Sequence, residues 1–249
     1  MLIRNGKAFT RGLLLMASFV VVFIIFFLPV FPGQDGGGKT NGLVYADHLF
    51  NTLSKGSANF FDPGLERADS VNKTATRAQG KSVDLDVPFK DAAQLELAAA
   101  LLKENNIEAT PAGGALHIKG ELYPLFQTVL ADSLLTYENK LDDVGKKHNA
   151  DGRAVMKAWW QLLTSMIKPM QKAGQVDEAA VTATIISKAI EPSYNFYGIS
   201  PLKVSDNIPL VAGFLIFYVV YTMWYGFAIF ELFEGIGLTM KKSVAKQEV

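Results

Sequence analysis

Two uncharged apolar stretches, one near each end of the chain, constrain its folding more than anything between them. From Leu13 to Phe31 nineteen residues carry no charge, and only Ala17, Ser18 and Pro29 are not strongly apolar. At the helical rise they cover roughly 28 Å, close to a hydrocarbon core of about 30 Å, so the run predicts a membrane-spanning helix over 13–31. A second uncharged run of twenty-two residues opens at Pro209, which suits the first turn of a helix, and continues to Phe230. Glu231 and Glu234 follow, then Gly235, Gly237 and the basic residues Lys241, Lys242 and Lys246. The second span is therefore expected over 209–230, with the two glutamates at the membrane interface.

A cleaved secretory leader competes for the first run, because Arg4, Lys7 and Arg11 precede it. The run exceeds the usual apolar core of such leaders, ~7–15 residues, and Pro-Val-Phe-Pro-Gly at its end lacks small residues at a cleavage spacing. A permanent span is expected. Basic residues lie outside both runs, and positive charge favours the cytoplasmic side. That bias puts 1–12 and 231–249 in the cytoplasm and 32–208 across the bilayer, which for a bacterial inner membrane is the periplasm. Between Gly33 and Asn207 there are 18 basic and 21 acidic residues, so the translocated part carries no basic excess.

Composition narrows the chemistry. There is no cysteine, which removes disulfide scaffolds and thiolate-ligated metals, and 24 basic against 24 acidic residues give no basic excess for nucleic acid. Gly33-x-x-x-x-Gly38-Lys39-Thr40 matches the phosphate-loop pattern. That loop works by joining a buried strand to a helix whose amides wrap phosphate, whereas here a span stands in the strand's place. A glycine-rich linker is the better reading, with nucleotide binding through Lys39 and Thr40 as the alternative.

The region 32–81 reads as linker plus an amphipathic stretch, Leu43 to Leu53, followed by a polar connector from Leu65 to Lys81. From Ser82 the pattern tightens into a domain over 82–208. Val83, Leu85 and Val87 alternate with polar residues as in a strand stopped by Pro88, and Asp91 and Gln94 have capping-box spacing. The helix they open carries Leu95, Ala98, Ala99 and Leu102 on one face. A hairpin is expected next, with its turn at Pro111–Gly114, then one long helix facing inward through Leu122, Leu125, Phe126, Val129, Leu130, Leu134, Tyr137, Leu141 and Val144. Two further helices follow, one started by Asp151-Gly152 and one by Asp177 and stopped at Glu191-Pro192. The fold class is α+β, mainly helical: two transmembrane helices flanking a domain with a small β-α-β-β-α unit and an antiparallel helical layer. In element order that unit resembles the ring-building motifs of bacterial secretion and flagellar base assemblies, a likeness that implies fold and not function.

No residue set demands catalysis, cofactor or metal. His48, His117 and His148 lie far apart and read as surface or strand histidines, and no Gly-x-Ser-x-Gly elbow occurs. Asp84 with Asp86, and Asp142 with Asp143, read as solvated charges. The second span is more suggestive: Tyr218, Tyr221, Thr222 and Tyr225, with Gly213 and Gly226 as small positions, form a candidate helix-packing face. Glu231 and Glu234 are the candidate interfacial acids. These features point to a non-catalytic scaffold or accessory subunit of a membrane complex, with lipid, other membrane subunits or further copies of itself as partners and no nucleic acid. Short ends, two spans and a large intervening domain also resemble polysaccharide chain-length determinants, whose proline-rich signature Pro192, Pro201 and Pro209 echo faintly.

Overall fold

The computed structural model describes residues 3–33, 37–61 and 70–238, and Lys241, Lys242 and Lys246 lie outside them. It is a mainly helical α+β structure with two helices long and apolar enough to cross a membrane. Its contacts divide into two compact units, Met1–Leu53 with Leu202–Val249, and Ser54–Pro201.

The first unit holds both long helices. Helix α1 spans Gly6–Phe27, starting and ending earlier than expected. Its N-terminus is fixed by Asn5, whose side chain accepts from Ala8 N at 3.2 Å, so the basic leader is itself helical. Leu28, the residue before Pro29, is extended, as proline requires of its predecessor, and Leu28–Phe31 leave the helix. Short strands β1 (Phe31–Pro32) and β2 (Lys39–Thr40) pair antiparallel, Phe31 opposite Thr40 and Pro32 opposite Lys39. Asn41 then opens α2 (Gly42–Ser57), accepting from Val44 N at 2.9 Å. After a 3₁₀ turn at Val204–Asn207, helix α10 runs Ile208–Gly235, with Pro209 in its first turn. Its 28 residues, roughly 42 Å, carry the helix past Phe230 and place Glu231 and Glu234 within it.

The second unit is built on three antiparallel strands, β3 (Ser82–Pro88), β4 (Glu108–Ala112) and β5 (Ala115–Glu121), in the order β3-β5-β4. Leu85 and Ala109 both stand opposite Ile118, so one face collects Val83, Leu85, Val87, Leu116 and Ile118, all buried. The hairpin turn is tighter than expected: only Gly113 and Gly114 lie outside the ladder, both with positive φ, the backbone a two-residue mirror turn needs. Pro111 therefore falls inside β4, tolerated because β4 is an edge.

Helix α4 (Ala92–Glu104) is capped by Asp91 as expected, but Gln94 returns no bond and its Oε1 has no partner among the described residues. The expected single helix after β5 is two, α5 (Leu122–Tyr137) and α6 (Leu141–Lys147), because Asn139 adopts a left-handed φ of 63°. Within α5, Leu134 is exposed, whereas Asp132, Ser133 and Thr136 are buried. The polar connector also contains structure. Helix α3 (Val71–Thr76) anchors itself through Val71 and Ala75, with Ala78 buried just beyond it.

Asp151 caps α7 (Gly152–Lys172), which buries Trp159, Leu162, Leu163, Met166 and Met170 as expected. In α8 (Val176–Ile185) Gln175 is the N-cap and Asp177 lies in the first turn. The helix does not stop at Glu191-Pro192: a π-helical turn, Ile186–Ile190, leads without a break into α9 (Glu191–Asn195), which contains Pro192. The hydrophobic core of this unit runs from Phe61 to Ile190 and is contained within it.

Candidate functional site

The two long apolar helices, α1 and α10, meet along a heptad seam. On α10 the positions Phe214, Phe217, Tyr221, Trp224, Ala228, Glu231 and Gly235 repeat at alternating spacings of three and four, the period of left-handed helix pairs. Toward the chain termini the seam is narrow. A Cβ on Gly12 would stand 2.6 Å from Leu232 N, and one on Gly235 would stand 2.7 Å from Phe9 Cα, so only glycine permits this approach. The amides of Arg4 and Asn5 both donate to the Gly235 carbonyl, at 2.8 and 3.0 Å, locking that end. Toward the β1–β2 hairpin the seam is filled by rings: Phe19 on Tyr221 at 4.3 Å, Phe26 near Phe217 at 6.1 Å, and Phe50 edge-on to Phe214 at 5.7 Å.

The six sequence candidates divide between two faces. Tyr221 packs in the seam with its ring 4.3 Å from Phe19, and Tyr225, 44% exposed, lies at the edge of the seam, 5.0 Å from the same ring. Tyr218, 66% exposed, points away from α1, and Thr222 bonds back to the Tyr218 carbonyl at 2.7 Å. Gly213 and Gly226 face open space. Tyr218, Thr222 and Gly226, four residues apart in succession, thus form an outward ridge. Glu231 lies in the seam, 3.5 Å from the Arg11 guanidinium, and its other oxygen and Trp224 Nε1 have no partner among the described residues. Glu234 is exposed. The close contacts at Gly12 and Gly235 were missed, though the heptad spacing on α10 was there to be read.

In the other unit a buried polar network was also missed. Asp132, fully buried on α5, accepts from Trp159 Nε1 (2.8 Å) and Lys147 Nζ (2.7 Å) and faces His148 Nε2 (2.8 Å). Glu104 closes on His148 Nδ1 at 2.6 Å. His148 is therefore not a surface histidine; it is 7% exposed and joins α4, α5 and α7. Each imidazole nitrogen faces a carboxylate oxygen, so the cluster is closed and ties the helices together. Asp84 and Asp86 stand on the solvent face of β3, as their alternation implies, 3.4 and 2.9 Å from the His117 ring on β5. Among the described residues no group of three or more His, Asp or Glu side chains is arranged to hold a metal ion.

A third cluster ties together the two ends of this unit. Lys55, fully buried, donates to the Ile199 carbonyl at 2.7 Å and to Asn139 Oδ1 at 2.9 Å, with its ammonium 4.9 Å from the Tyr137 ring centre. The Tyr137 hydroxyl donates to the Lys55 carbonyl. Burial lowers the Lys55 ammonium's pKa and pushes the Tyr137 phenol up to about 12. Lys39 and Thr40, the phosphate-loop candidates, are held in the β1–β2 ladder ahead of α2.

No protein family, curated protein or solved structure matches this chain.

Proposed function

We propose that the chain is a non-catalytic two-span protein of a bacterial inner membrane, an accessory or scaffold subunit that joins a larger membrane complex. In this reading both termini are cytoplasmic and residues 32–208 are periplasmic. The observation that carries it is the outward ridge Tyr218–Thr222–Gly226. The helix pair fills its own seam with Tyr221 and leaves this polar, small-residue ridge without a neighbour among the described residues. A tyrosine hydroxyl in hydrocarbon gains from a partner, and glycine lets another helix approach.

A photo-crosslinking residue placed at Tyr218 in membranes at native expression should capture a second polypeptide, and one at Ile24 should capture fewer. Gentle extraction with native mass measurement should then show a heteromeric or homomeric assembly. A clean monomer with no crosslink from position 218 refutes the proposal, and a reporter near residue 120 that proves cytosolic refutes the orientation.

A further inference from the structure

Between α7 and α9 the Ser54–Pro201 unit carries a cavity of about 380 Å³. Buried Met156 and Ile190 make its floor, and Lys157, Trp160, Glu191 and Tyr194 make its walls. Tyr194 and Asn195 are shared with an adjoining hollow of about 200 Å³ that reaches Arg153 and Tyr197. We propose that this trough binds an acidic oligosaccharide, with Trp160 and Tyr194 as platforms for sugar rings and Lys157 and Arg153 as partners of a sugar carboxylate.

Three observations support this ligand class. First, Trp160 and Tyr194 remain 41% and 42% exposed beside the fully buried Trp159. The Trp160 indole is nevertheless held, donating from Nε1 to Glu191 Oε1 across the helices at 3.1 Å. A flat apolar ring kept in place while exposed matches the C–H face of a pyranose, and Glu191 and Asn195 beside it can bond hydroxyls.

Second, the cations are distributed along the trough. From Arg153 to Trp160 is two turns of α7, about 10 Å, the reach of two linked sugar rings. Lys157 has no ion pair or hydrogen bond among the described residues, and the Arg153 guanidinium lies over the Tyr197 ring, 5.6 Å from its centre, with no carboxylate partner among them. Lys157, Glu191 and Asn195 set polar groups along a lining whose remainder, Met156, Ile190 and the Trp160 and Tyr194 rings, is largely apolar.

Third, the π-helical turn Ile186–Ile190 immediately precedes the α9 side of the trough. Such turns are irregular insertions that recur where a helix must present side chains in a register an unbroken helix would miss. Here the residues that follow are Glu191, Tyr194 and Asn195.

The test is calorimetric and fluorimetric titration of the full-length protein in a sugar-free amine-oxide detergent. The probe is a polyuronate tetrasaccharide, and the reference is neutral triacetylchitotriose. Saturable binding of the uronate is expected, with a change in tryptophan emission that survives Trp224→Phe. Trp160→Ala should weaken binding at least about tenfold, Trp160→Phe should retain most of it, and Lys157→Ala should erase the preference over the neutral sugar. Near-ultraviolet dichroism from buried Trp159 verifies that each variant is folded. No saturable binding of either probe overturns the proposal. Uronate affinity unchanged in folded Trp160→Ala also overturns it, and equal affinity for the neutral probe overturns its acidic character.

Discussion

Replacing Asp132 tests whether the closed polar cluster holds the helical layer together. The carboxylate is fully buried and receives Trp159 Nε1 and Lys147 Nζ, with His148 Nε2 against the same oxygen as the indole. In Asp132→Ala the indole and imidazole N–H groups lose their acceptor where water does not reach, about 1–3 kcal/mol for each orphaned group. The two penalties overlap because the groups share one oxygen, so they do not simply add. With the partly exposed Lys147 pair adding about 1 kcal/mol or less, the expected total is about 3–5 kcal/mol. At roughly 2–4 °C per kcal/mol for a domain of this size, the midpoint of thermal unfolding should fall by about 6–20 °C. Lys147→Met is the comparison, since that side chain is 43% exposed and its pair with Asp132 is partly screened. It should cost about 1 kcal/mol or less. The assay is thermal unfolding in detergent followed by near-ultraviolet dichroism of Trp159. If Asp132→Ala shifts the transition no more than Lys147→Met does, the cluster does not hold the helices and the reasoning fails.

Other consequences are accessible with equally simple measurements. Since the chain has no cysteine, a Phe19→Cys/Tyr221→Cys pair should crosslink within one chain in membranes. Adding Gly12→Leu should abolish most of that crosslink by forcing the helices apart. Alkaline pH should act through Tyr137 and Lys55 in opposite directions. The phenol's folded pKa, about 12, lies above its ordinary 10.0, so its stabilising contribution is complete below pH 10 and is lost as pH rises toward 12. The Lys55 pKa is lowered in the fold, so stability rises with pH up to its ordinary 10.5. Urea midpoints against pH should therefore fall less above pH 10.5 in Tyr137→Phe than in the parent, and rise less below it in Lys55→Met. Parent-like profiles in both variants refute this assignment.

What could be read in the sequence depended on whether neighbouring residues supplied the signal. The two long apolar helices and β3 were legible because uninterrupted apolar composition and strict alternation are local properties. Their ends were less so: Asn5 capping and the restriction on Leu28 before Pro29 moved α1 by several residues without altering the apolar run. Helix α5 misled because Asp132, Ser133 and Thr136 occupy its buried stripe: Asp132 is tolerated through Lys147, His148 and Trp159, with Glu104 behind His148, and Thr136 bonds back to the Asp132 carbonyl. Those partners are dispersed over more than fifty residues, so no spacing rule gathers them. The narrow end of the seam between α1 and α10 was hidden differently. Gly12 and Gly235 sit beside Arg11 and Glu234, and charge made those positions look as though they lay beyond the packed helices.

The Lys55 cluster leads to one further prediction about independence. The ammonium bonds to the Ile199 carbonyl, so residues near the two ends of the Ser54–Pro201 unit are held by a contact inside that unit. Asn139 reinforces it, accepting from Gly198 N at 2.8 Å as well as from Lys55. The hydrophobic core is also self-contained, running from Phe61 to Ile190. A unit with its own core and its ends pinned together behaves as an inserted domain, for which tethering is not a condition of folding. A fragment of residues 54–201 should therefore be soluble and unfold cooperatively, with Trp159 in an ordered environment. Lys55→Ala in that fragment should lose about 2 kcal/mol, because it strips the Ile199 carbonyl and Asn139 of a charged donor. A fragment that aggregates, or that melts without a sigmoidal transition while the full chain melts cooperatively, would show that the helical hairpin is required to complete this domain.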